Sequence, residues 1–544
     1  MLTITVKYNN ENYIFNKGAS LLEISESFQK NFKDKIIVGE VNGVIKDLNT
    51  NILSNSEIKF YDKNSVEGNR VYENGLIFIL IKAFLDELHQ DIRVMHSLDK
   101  GIYIKTKVIN EVLLNRIKNK MDELIKLNLP IDKILVPRQD AIKYFEKLKV
   151  DDKIKLLKYN TNSNINLYKL ENLYDYFFYN LPISTGYITS YKLNLIDGES
   201  FVITYPSIYY DKYKYKHHDK LFKEFNNYSS WCENIKIKSV SDLNLKISTG
   251  KIDDYILLSE AYQNYNLMNI AKQISDNKKI KIVLISGPSS SGKTTSSRKL
   301  SLYLKNFGIN PKTISIDDYF KDREKTPKKE DGSYDFESIN AIDIDLFNKH
   351  LTKLLNKEKV KVPTFNFILG KKEYINDYFE LKENDILIIE GLHALNNELT
   401  SSIDKKNKFK IYLSPLTVLN LDKHNRIKTT DNRLLRRIVR DNRNRGYDAS
   451  KTLNSWKLVR EGEEKYVFPF QDEADVIFNT TLLYEIGVLK SYAEPLLYLV
   501  KEDDECYKDA VRLLNLLKNV LPINTESIPK DSIIREFIGG VYFE

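Results

Sequence analysis

Cysteine is scarce in this sequence. Cys232 and Cys506 are the only two cysteines in 544 residues. They lie far apart and belong to no CxxC pair, so the sequence indicates neither a disulfide framework nor a cysteine zinc site. Scarce, unpaired cysteines are typical of a reducing environment, and we therefore expect a cytoplasmic protein.

The sequence also lacks a long apolar run. The most apolar segment, LIFILIKAFL at 76–85, is interrupted by Lys82, and it is far shorter than the roughly 20 residues that span a bilayer. This segment predicts a buried helix. The N-terminus alternates apolar with polar residues and has no apolar core of a signal peptide, which is typical of a strand. We therefore expect no membrane partner.

A strong charge of one sign is absent as well. Lys and Arg number 83 against 75 Asp and Glu, which gives a net charge of +8. This mild basic bias is not typical of a dedicated nucleic-acid binder, although it allows anionic ligands. The length predicts several domains, because one hydrophobic core does not grow to this size.

Hydrophobic patterns predict a multidomain chain of α/β and α+β type. Residues 1–65 show a β, β, α, β, β order that suits a small β-grasp domain, and 66–245 mix helical and strand patterns as an α+β domain does. A helical connector is predicted at 246–275. Apolar runs without alternation then separate amphipathic helices over 276–520, which predicts a doubly wound parallel sheet. Residues 521–544 form a C-terminal tail.

The segment GPSSSGKTT at 287–295 matches the pattern GxxxxGK(S/T) of a P-loop. Such a loop lies between a strand and a helix, where its backbone N–H groups can bind a polyphosphate. Lys293 is expected to contact the β and γ phosphates and to be catalytic, and Thr294 to hold Mg²⁺. A simple Gly/Ser turn is the alternative. The predicted nucleotide-binding residues are Gly287, Pro288, Ser289, Ser290, Ser291, Gly292, Lys293, Thr294 and Thr295.

Acidic residues end two of the predicted parallel strands. Asp317 and Asp318 follow TISI, and Glu390 follows ILII. Ligands bind at this edge of such sheets. A carboxylate there can accept the proton of an attacking hydroxyl and help to order Mg²⁺. We expect Asp317 to be catalytic and Glu390 to be a metal ligand, with a helix N-cap as the alternative for the Asp pair.

Arginines form one face of a predicted helix in DNRLLRRIVRDNRNRG. This face predicts a lid that clamps the transferring phosphoryl group, because guanidinium groups stabilise its charge. Arg436 and Arg440 are the expected catalytic members, and Arg433 is expected to contact substrate. A solvated face and an RNA-binding helix are the alternatives, so nucleic acid is a less favoured partner.

Six segments taken in order resemble the uridine kinase and phosphoribulokinase family, most closely the uridine-cytidine kinases. They are GPSSSGKTT, SIDDYF, YDFESINAID, VPTFNF, IIEGLHAL and DNRLLRRIVRDNRNRG. The resemblance implies transfer of the γ-phosphoryl group of ATP or GTP to a nucleoside 5'-hydroxyl with Mg²⁺, in nucleotide salvage. It also implies that Asp317 is the base, that Glu337 binds ribose hydroxyls, and that Phe365 and Phe367 flank the nucleobase.

Three positions depart from the family pattern. Gly370 stands where the family has its base-reading His, Ser455 replaces a Gln, and Tyr447 replaces an Arg. A site that reads a base by hydrogen bonds discriminates through those groups, so the resemblance implies the reaction type without specifying the base. A sugar phosphate is a further alternative acceptor, because Lys371 and Lys372 add positive charge.

The N-terminal half resembles the N-terminal region of threonyl-tRNA synthetases, a TGS-type β-grasp module followed by an editing domain. The segments EVNGVIKDL, IKAFLDEL and FFYNLPISTGYI carry this resemblance. The HxxxH histidines of the editing domain align with Asn74 and Phe78, and its later Cys and His align with Phe177 and Leu181. Without those groups we expect neither metal binding nor editing there.

Two functions remain. The favoured one is an Mg²⁺-dependent nucleoside kinase that is a homo-oligomer. The other is an RNA-binding or regulatory protein that uses its P-loop as an NTP switch. Asp317 and Glu337 favour the kinase, because a switch needs neither an acceptor base nor a ribose-binding carboxylate.

Overall fold

The computed structural model describes residues 2–208, 214–329, 332, 334–366 and 369–543. Within this part the strands form a five-stranded N-terminal sheet, two antiparallel sheets in the middle of the chain, a five-stranded parallel sheet and a small hairpin. No helix in these ranges is long and apolar enough to span a bilayer.

The N-terminal sheet has the strand order β2-β1-β5-β3-β4. A helix, α1, connects β2 to β3 and begins at a capping box between Ser20 and Glu23. The β, β, α start of the prediction is confirmed, and β4 is an additional three-residue strand that is too short to show a pattern. The elements are β1 (Thr3–Tyr8), β2 (Glu11–Asn16), α1 (Leu21–Glu26), β3 (Ile36–Val41), β4 (Val44–Lys46) and β5 (Ser56–Asp62).

The apolar run at 76–85 lies inside a long helix, α2 (Val66–Leu88), and residues 75–84 of this helix are buried. Lys82 is buried with them, and its Nζ lies 2.7 Å from Asp86 and 3.1 Å from Glu171. A buried lysine is tolerated when it is paired in this way. The prediction of a buried helix is therefore confirmed.

The middle of the chain contains two antiparallel sheets, with the orders β11-β12-β7-β6 and β10-β9-β8. The helix predicted within 246–275 is confirmed as α8. In chain order the elements are β6 (Arg93–Leu98), β7 (Gly101–Lys105), α3 (Glu111–Lys126), β8 (Asp132–Pro137), α4 (Arg138–Lys147), α5 (Asp151–Lys158), β9 (Asn164–Leu170), β10 (Leu173–Asp175), β11 (Lys192–Asp197), β12 (Ser200–Thr204), α6 (Asp219–Asn234), α7 (Val240–Ser248) and α8 (Ile252–Asp276).

The C-terminal part contains a sheet with the order β14-β17-β13-β18-β19, in which all neighbours are parallel. The parallel sheet is therefore confirmed. The elements are β13 (Ile282–Ser286), α9 (Lys293–Asn306), β14 (Asn310–Ser315), α10 (Ile344–Leu355), β15 (Thr364–Asn366), β16 (Lys371–Glu373), β17 (Asp385–Glu390), β18 (Lys408–Ser414), α11 (Thr429–Arg445), α12 (Ala449–Tyr466), β19 (Val476–Asn479), α13 (Glu485–Tyr498), α14 (Tyr507–Leu517) and α15 (Arg535–Ile538).

Both faces of this sheet are covered by apolar side chains. Along β13, Val283 and Ile285 belong to one core, whereas Ile282 and Leu284 belong to the core on the opposite face. Because these strands are buried on both faces, none of their side chains points into solvent. Their sequences are therefore apolar runs without alternation.

The loop between β18 and α11 packs against the elements from the middle of the chain, and charged side chains make the contacts. His424 lies 2.6 Å from Asp175 and 2.9 Å from Asp91. Asp422 lies 3.3 Å from Lys153, whose Nζ is 2.6 Å from Asp175. Burial lowers the pKa of His424, but the two carboxylates outweigh it and raise this pKa to about 10. The two halves of the molecule therefore meet at a charged and buried interface.

Candidate active site

The P-loop needs glycine at two places. A Cβ on Gly287 would lie 2.4 Å from the carbonyl oxygen of Leu413, so only glycine fits beside that strand. Gly292 has φ +82, and a Cβ there would lie 2.7 Å from Ile533. Glycine adopts positive φ without the steric cost that a side chain brings. These two residues let the backbone turn tightly between β13 and α9.

Lys293 begins α9 and lies over the loop. Its Nζ donates to the carbonyl oxygens of Gly287 and Pro288 at 2.9 and 3.1 Å. The hydroxyls of Ser290 and Ser291 are buried without a hydrogen-bond partner in the described part of the chain. Buried orphan hydroxyls call for a ligand. The loop therefore fits a polyphosphate.

Asp317 and Glu390 lie at the carboxyl ends of neighbouring strands, as predicted. Asp317 is in a short 3₁₀ turn, Ile316–Tyr319, directly after β14, and Glu390 ends β17. Desolvation in the cleft raises the pKa of both carboxyls, and the negative charge of Asp317 helps to bring the pKa of Glu390 to about 7. Lys293 opposes both shifts, so the three groups share one electrostatic site.

The same burial lowers the pKa of Lys293, against the attraction of Glu390 and Asp317. Thr294 follows it at the exposed start of α9. The described residues hold no group of three or more His, Cys, Asp or Glu side chains that could bind a metal. Mg²⁺ commonly binds through one or two protein oxygens together with substrate phosphates. Thr294 and Glu390 fit such a site.

Glu337 reaches the same cleft from the loop before α10. Its pKa is raised to about 7, first by desolvation and then by the charge of Glu463. Gly462, inside α12, permits this approach, because a Cβ there would lie 2.6 Å from the Cβ of Glu337. The structure thus places Glu337 with Asp317 and Lys293, whose charges act on its pKa.

Phe365 is in β15 and is 5% exposed. Its ring centroid lies 5.6 Å from that of Phe320, and its backbone N–H donates to Asp318 at 3.2 Å. Asp318 therefore positions this hairpin, whereas Asp317 points into the cleft. Phe367, the second predicted aromatic neighbour of the base, lies outside the described residues.

The arginine helix differs from the predicted lid. Arg436 is fully buried, and it donates to Glu485 at 3.0 Å and to the carbonyl oxygens of Thr480 and Ser290 at 2.8 and 3.3 Å. Arg433 is 2% exposed, pairs with Glu463, and donates to the carbonyl oxygen of Ser289 at 3.0 Å. These two side chains therefore donate hydrogen bonds to the backbone of the P-loop and stabilise its conformation. The expectation that they face the transferring phosphoryl group is corrected.

The C-terminal end of the same helix faces the cleft. The charges of Arg440 and Arg445 oppose the raised pKa of Asp317, which places them near this carboxyl. Arg440 pairs with Asp441 at 2.8 Å and is half-buried. Arg437 donates to the Ser289 hydroxyl at 2.7 Å. Arg440, one of the predicted catalytic arginines, is therefore near Asp317, and Arg445 joins it.

Three glutamates at the P-loop were missed by the sequence analysis. Glu463 accepts the backbone N–H of Ser289 at 2.8 Å, Glu485 pairs with Arg436, and Glu536 accepts the backbone N–H of Thr295 at 3.0 Å. All three come from distant parts of the chain. No local pattern indicated these contacts; the glycine inside α12, Gly462, marks the close approach of Glu337 instead.

The positions that depart from the family pattern have other contacts. Gly370 has φ +68, and a Cβ there would lie 2.8 Å from Nε of Arg323, so this guanidinium occupies the adjacent space. The Ser455 hydroxyl donates within its own helix, to the carbonyl oxygen of Thr452. Lys451 lies 3.6 Å from the ring centre of Tyr447.

Aromatic packing fills the region of the four synthetase-like positions. The Phe78 and Phe177 rings meet edge to face with centroids 5.3 Å apart, and Leu181 is 1% exposed. Asn74 lies 3.5 Å from the carbonyl oxygen of Asn180. Phe78, Phe177 and Leu181 belong to the apolar core around α2, and Asn74 lies partly buried beside it.

Residues 282–485 match the model of the Phosphoribulokinase / Uridine kinase family. A uridine kinase of Staphylococcus aureus is 28% identical over 197 residues, which cover 36% of this chain and 86% of that kinase. A threonine–tRNA ligase of Sulfurihydrogenibium sp. is 31% identical over 185 residues, which cover 32% of this chain. The match spans only 28% of the length of the ligase.

Two solved structures show weaker likeness. A possible uridine kinase from Bacillus stearothermophilus has a TM-score of 0.28 and 19% identity, and the match covers 40% of this chain and 98% of that chain. A D-glycerate 3-kinase from Cryptococcus neoformans has a TM-score of 0.19 and 13% identity, with coverage of 49% and 87%. The C-terminal part of this chain is therefore similar to kinases of the phosphoribulokinase and uridine kinase family, and the same polypeptide contains a part that is similar to threonine–tRNA ligase.

Proposed function

We propose that the protein is a nucleoside kinase that transfers the γ-phosphoryl group of ATP or GTP to the 5'-hydroxyl of a nucleoside. The observation that carries this proposal is the position of Asp317, which lies at a strand end within the electrostatic reach of Lys293, Arg440 and Arg445. A carboxylate beside a P-loop lysine can take a proton from a hydroxyl while cations stabilise the phosphoryl group.

The donor would bind along the P-loop. The backbone N–H groups at the start of α9 bind the phosphates, Lys293 exchanges its contacts with the loop carbonyls for phosphate oxygens, and Thr294 and Glu390 hold Mg²⁺. When bound, Mg²⁺ neutralises charge on the phosphates. The ion pairs of Arg433 and Arg436 keep the loop rigid, so that the donor meets preorganised N–H groups.

The acceptor would lie between Asp317, Glu337 and the hairpin that carries Phe365. Asp317 accepts the hydroxyl proton, and Glu337 accepts hydrogen bonds from the ribose. Arg440 and Arg445 stabilise the transferring group. The guanidinium of Arg323 lies beside Gly370, and we propose that it contacts the nucleobase in place of the histidine that the family uses.

The remaining expectations belong to this proposal. We propose a TGS-type β-grasp domain at 1–65, a synthetase-like domain at 66–245, a connector at 246–275, a kinase domain at 276–520 and a tail at 521–544. We also propose a cytoplasmic homo-oligomer that acts in nucleotide salvage. The similarity to threonine–tRNA ligase over 185 residues supports the assignment of the N-terminal half.

The test is product formation from ATP and from GTP with uridine, cytidine, adenosine, guanosine, inosine and their deoxy forms. We expect at least one 5'-monophosphate. Lys293→Ala and Asp317→Asn should abolish it, whereas Asp345→Asn, an exposed carboxylate on α10, should not. If no nucleoside is phosphorylated while RNA stimulates ATP hydrolysis, the switch function replaces the kinase function.

A further inference from the structure

The C-terminal segment, residues 532–543, packs against the P-loop. Cγ2 of Ile533 lies so close to Gly292 that a Cβ on this glycine would be only 2.7 Å away. One helical turn later, Oε2 of Glu536 accepts the backbone N–H of Thr295 at 3.0 Å. A negatively charged side chain from the end of the chain thus lies on the first turn of the phosphate-binding helix.

This N–H belongs to the part of the site that would bind the donor. The first N–H groups of a helix have no partner within the helix, and in a P-loop they bind phosphate oxygens. The charge of Glu536 also reaches the other site residues, since it opposes the lowering of the Lys293 pKa and adds to the raising of the Glu390 pKa. Glu536 is therefore inside the phosphate site and not beside it.

Several contacts hold the segment in this place. The Ser532 hydroxyl donates to Glu260 of α8 at 2.6 Å. Arg535 donates to the carbonyl oxygens of Thr525 and Ile528, both at 2.8 Å. Ile533, Ile534 and Phe537 are buried in the core that also contains α11. The segment is a built part of the kinase domain, so the position of Glu536 is imposed by packing.

Two anions cannot share one N–H donor at this distance. A donor phosphate oxygen that binds Thr295 would have to approach a carboxylate that already accepts its hydrogen bond, and like charges in a poorly solvated site repel strongly. The glutamate side chain has three rotatable bonds, and Gly539 and Gly540 follow it with φ +96 and +71. Binding of a phosphate oxygen to this N–H therefore requires the carboxylate to leave it by rotation about these side-chain bonds.

We propose that Glu536 is a built-in competitor of the donor polyphosphate, which occupies the Thr295 N–H and must be displaced before ATP or GTP can bind fully. The proposal rests on the proposed function, because it assumes that the P-loop binds a nucleoside triphosphate. It assigns the C-terminal segment a role in setting donor affinity.

The experiment measures the Kd of MgATP by titration calorimetry for the full chain and for Glu536→Gln. Glutamine keeps the size of the side chain and removes its charge. We expect MgATP to bind about tenfold more tightly to the variant, because the loss of the negative charge weakens the hydrogen bond that competes with the donor phosphate for the Thr295 N–H. Glu526→Gln, an exposed glutamate of the same C-terminal region, is the matched control and should bind as the unmodified chain does.

The outcomes separate this proposal from the proposed function. Equal affinity of Glu536→Gln and the unmodified chain, or weaker binding by the variant, overturns the competitor role while MgATP binding itself stands. If neither protein binds MgATP and both melt cooperatively, the proposed function fails, and the competitor role fails with it.

Hydrogen–deuterium exchange provides a second measurement that needs no variant. Saturating MgATP should increase exchange in peptides that cover 532–540 by at least about twofold, because displacement of Glu536 loosens this segment. Peptides that cover 287–295 should become protected. Protection of both regions would mean that the segment clamps the donor, and this result overturns the competitor role.

Discussion

Asp317 and Asp318 are adjacent, yet they have different surroundings. Asp317 is exposed toward the cleft, and the charges of Lys293, Arg445 and Arg440 act on it. Asp318 instead accepts the backbone N–H of Phe365 at 3.2 Å. A 3₁₀ turn after a parallel strand separates the two side chains so that one can meet a substrate while the other supports a hairpin.

We predict that Asp317→Asn lowers kcat by about 10²- to 10⁴-fold, because the asparagine cannot accept the hydroxyl proton. The Kd of MgATP should stay within about threefold, since asparagine keeps the size of the side chain and Asp317 is assigned to the acceptor and not to the donor. Asp318→Asn should mainly raise the KM of the acceptor. Steady-state kinetics with one accepted nucleoside checks both. Similar kcat losses in the two variants would contradict the assignment of the base.

Glu337 links the site to stability through its raised pKa of about 7. The pKa of Glu337 is higher in the folded protein than in the unfolded chain, so protonation of this carboxyl favours the folded state. This stabilisation is complete at a pH below the unfolded pKa. It is lost as the pH rises through about 7. The folded protein is thus less stable when Glu337 is ionised, which is the form that we propose to accept hydrogen bonds from the ribose.

Glu337→Gln should therefore be more stable than the unmodified chain at about pH 8, by about 3 kcal/mol, and the gain should vanish below about pH 4. Thermal unfolding across this range checks the prediction. Glu324→Gln, an exposed glutamate nearby, should show no pH-dependent gain. A gain that is independent of pH would mean that folding does not raise the pKa of Glu337.

The helix α11 has two functions along its length. Its buried middle holds the P-loop backbone through Arg433 and Arg436, and its C-terminal end brings Arg440 and Arg445 toward Asp317. Arg436 and Glu485 form a fully buried pair. Such pairs are costly to break, because one charge is left without a partner.

We predict that Arg436→Met destabilises the protein by about 3–5 kcal/mol, because Glu485 is left buried and unpaired. The double variant Arg436→Met with Glu485→Gln should recover part of this loss, since the unpaired charge is gone. Urea unfolding measures both. If the double variant is as unstable as the sum of the single variants, the pair has no coupling and does not hold the loop.

Elements were predictable from the sequence where the information is local. The alternation-free runs of β13 and β17 and the glycine spacing of the P-loop each follow from neighbouring residues. For α11, the spacing correctly indicated one arginine face, but not what covers it. Arg436 is covered by Glu485, 49 residues away, and Thr295 meets Glu536 across 241 residues. A local sequence pattern cannot predict contacts between residues so far apart. The lid was therefore predicted for the whole arginine face, although Arg433 and Arg436 are buried and support the P-loop.

At the scale of the whole molecule, the N-terminal half and the C-terminal half meet through the loop between β18 and α11. His424 lies between Asp175 and Asp91, and Arg426 lies 2.8 Å from Glu73 of α2. This interface could not be predicted from the sequence, because its charged residues are spread over the whole chain. The loop leads directly into α11, and the arginines of α11 contact the P-loop, so this helix connects the interface with the P-loop.

We predict that His424→Gln lowers the free energy of unfolding by about 2 kcal/mol, because the buried carboxylate of Asp175 and the partly exposed carboxylate of Asp91 lose a cationic partner. The folded-state pKa of His424, about 10, lies above the unfolded value. Its contribution is therefore complete below the unfolded pKa and is lost as the pH rises through about 10. The difference from the unmodified chain should shrink between about pH 8 and pH 10.

Thermal unfolding at several pH values checks this prediction, and His217→Gln, a more exposed histidine beside Asp219, is the control. A difference that does not depend on pH would show that His424 acts through packing alone. In that case the charged interface would not be what joins the two halves of the molecule.

The central claim is that phosphoryl transfer to a nucleoside takes place at the carboxyl end of the parallel sheet, with Asp317 as the base. The most direct measurement follows an ¹⁸O-labelled γ-phosphoryl group from ATP by mass spectrometry in the presence of the nucleoside panel. We expect the label in a nucleoside 5'-monophosphate, and we expect it to disappear from this product with Asp317→Asn. Label that appears only in inorganic phosphate, or product formation that Asp317→Asn leaves unchanged, would contradict the account.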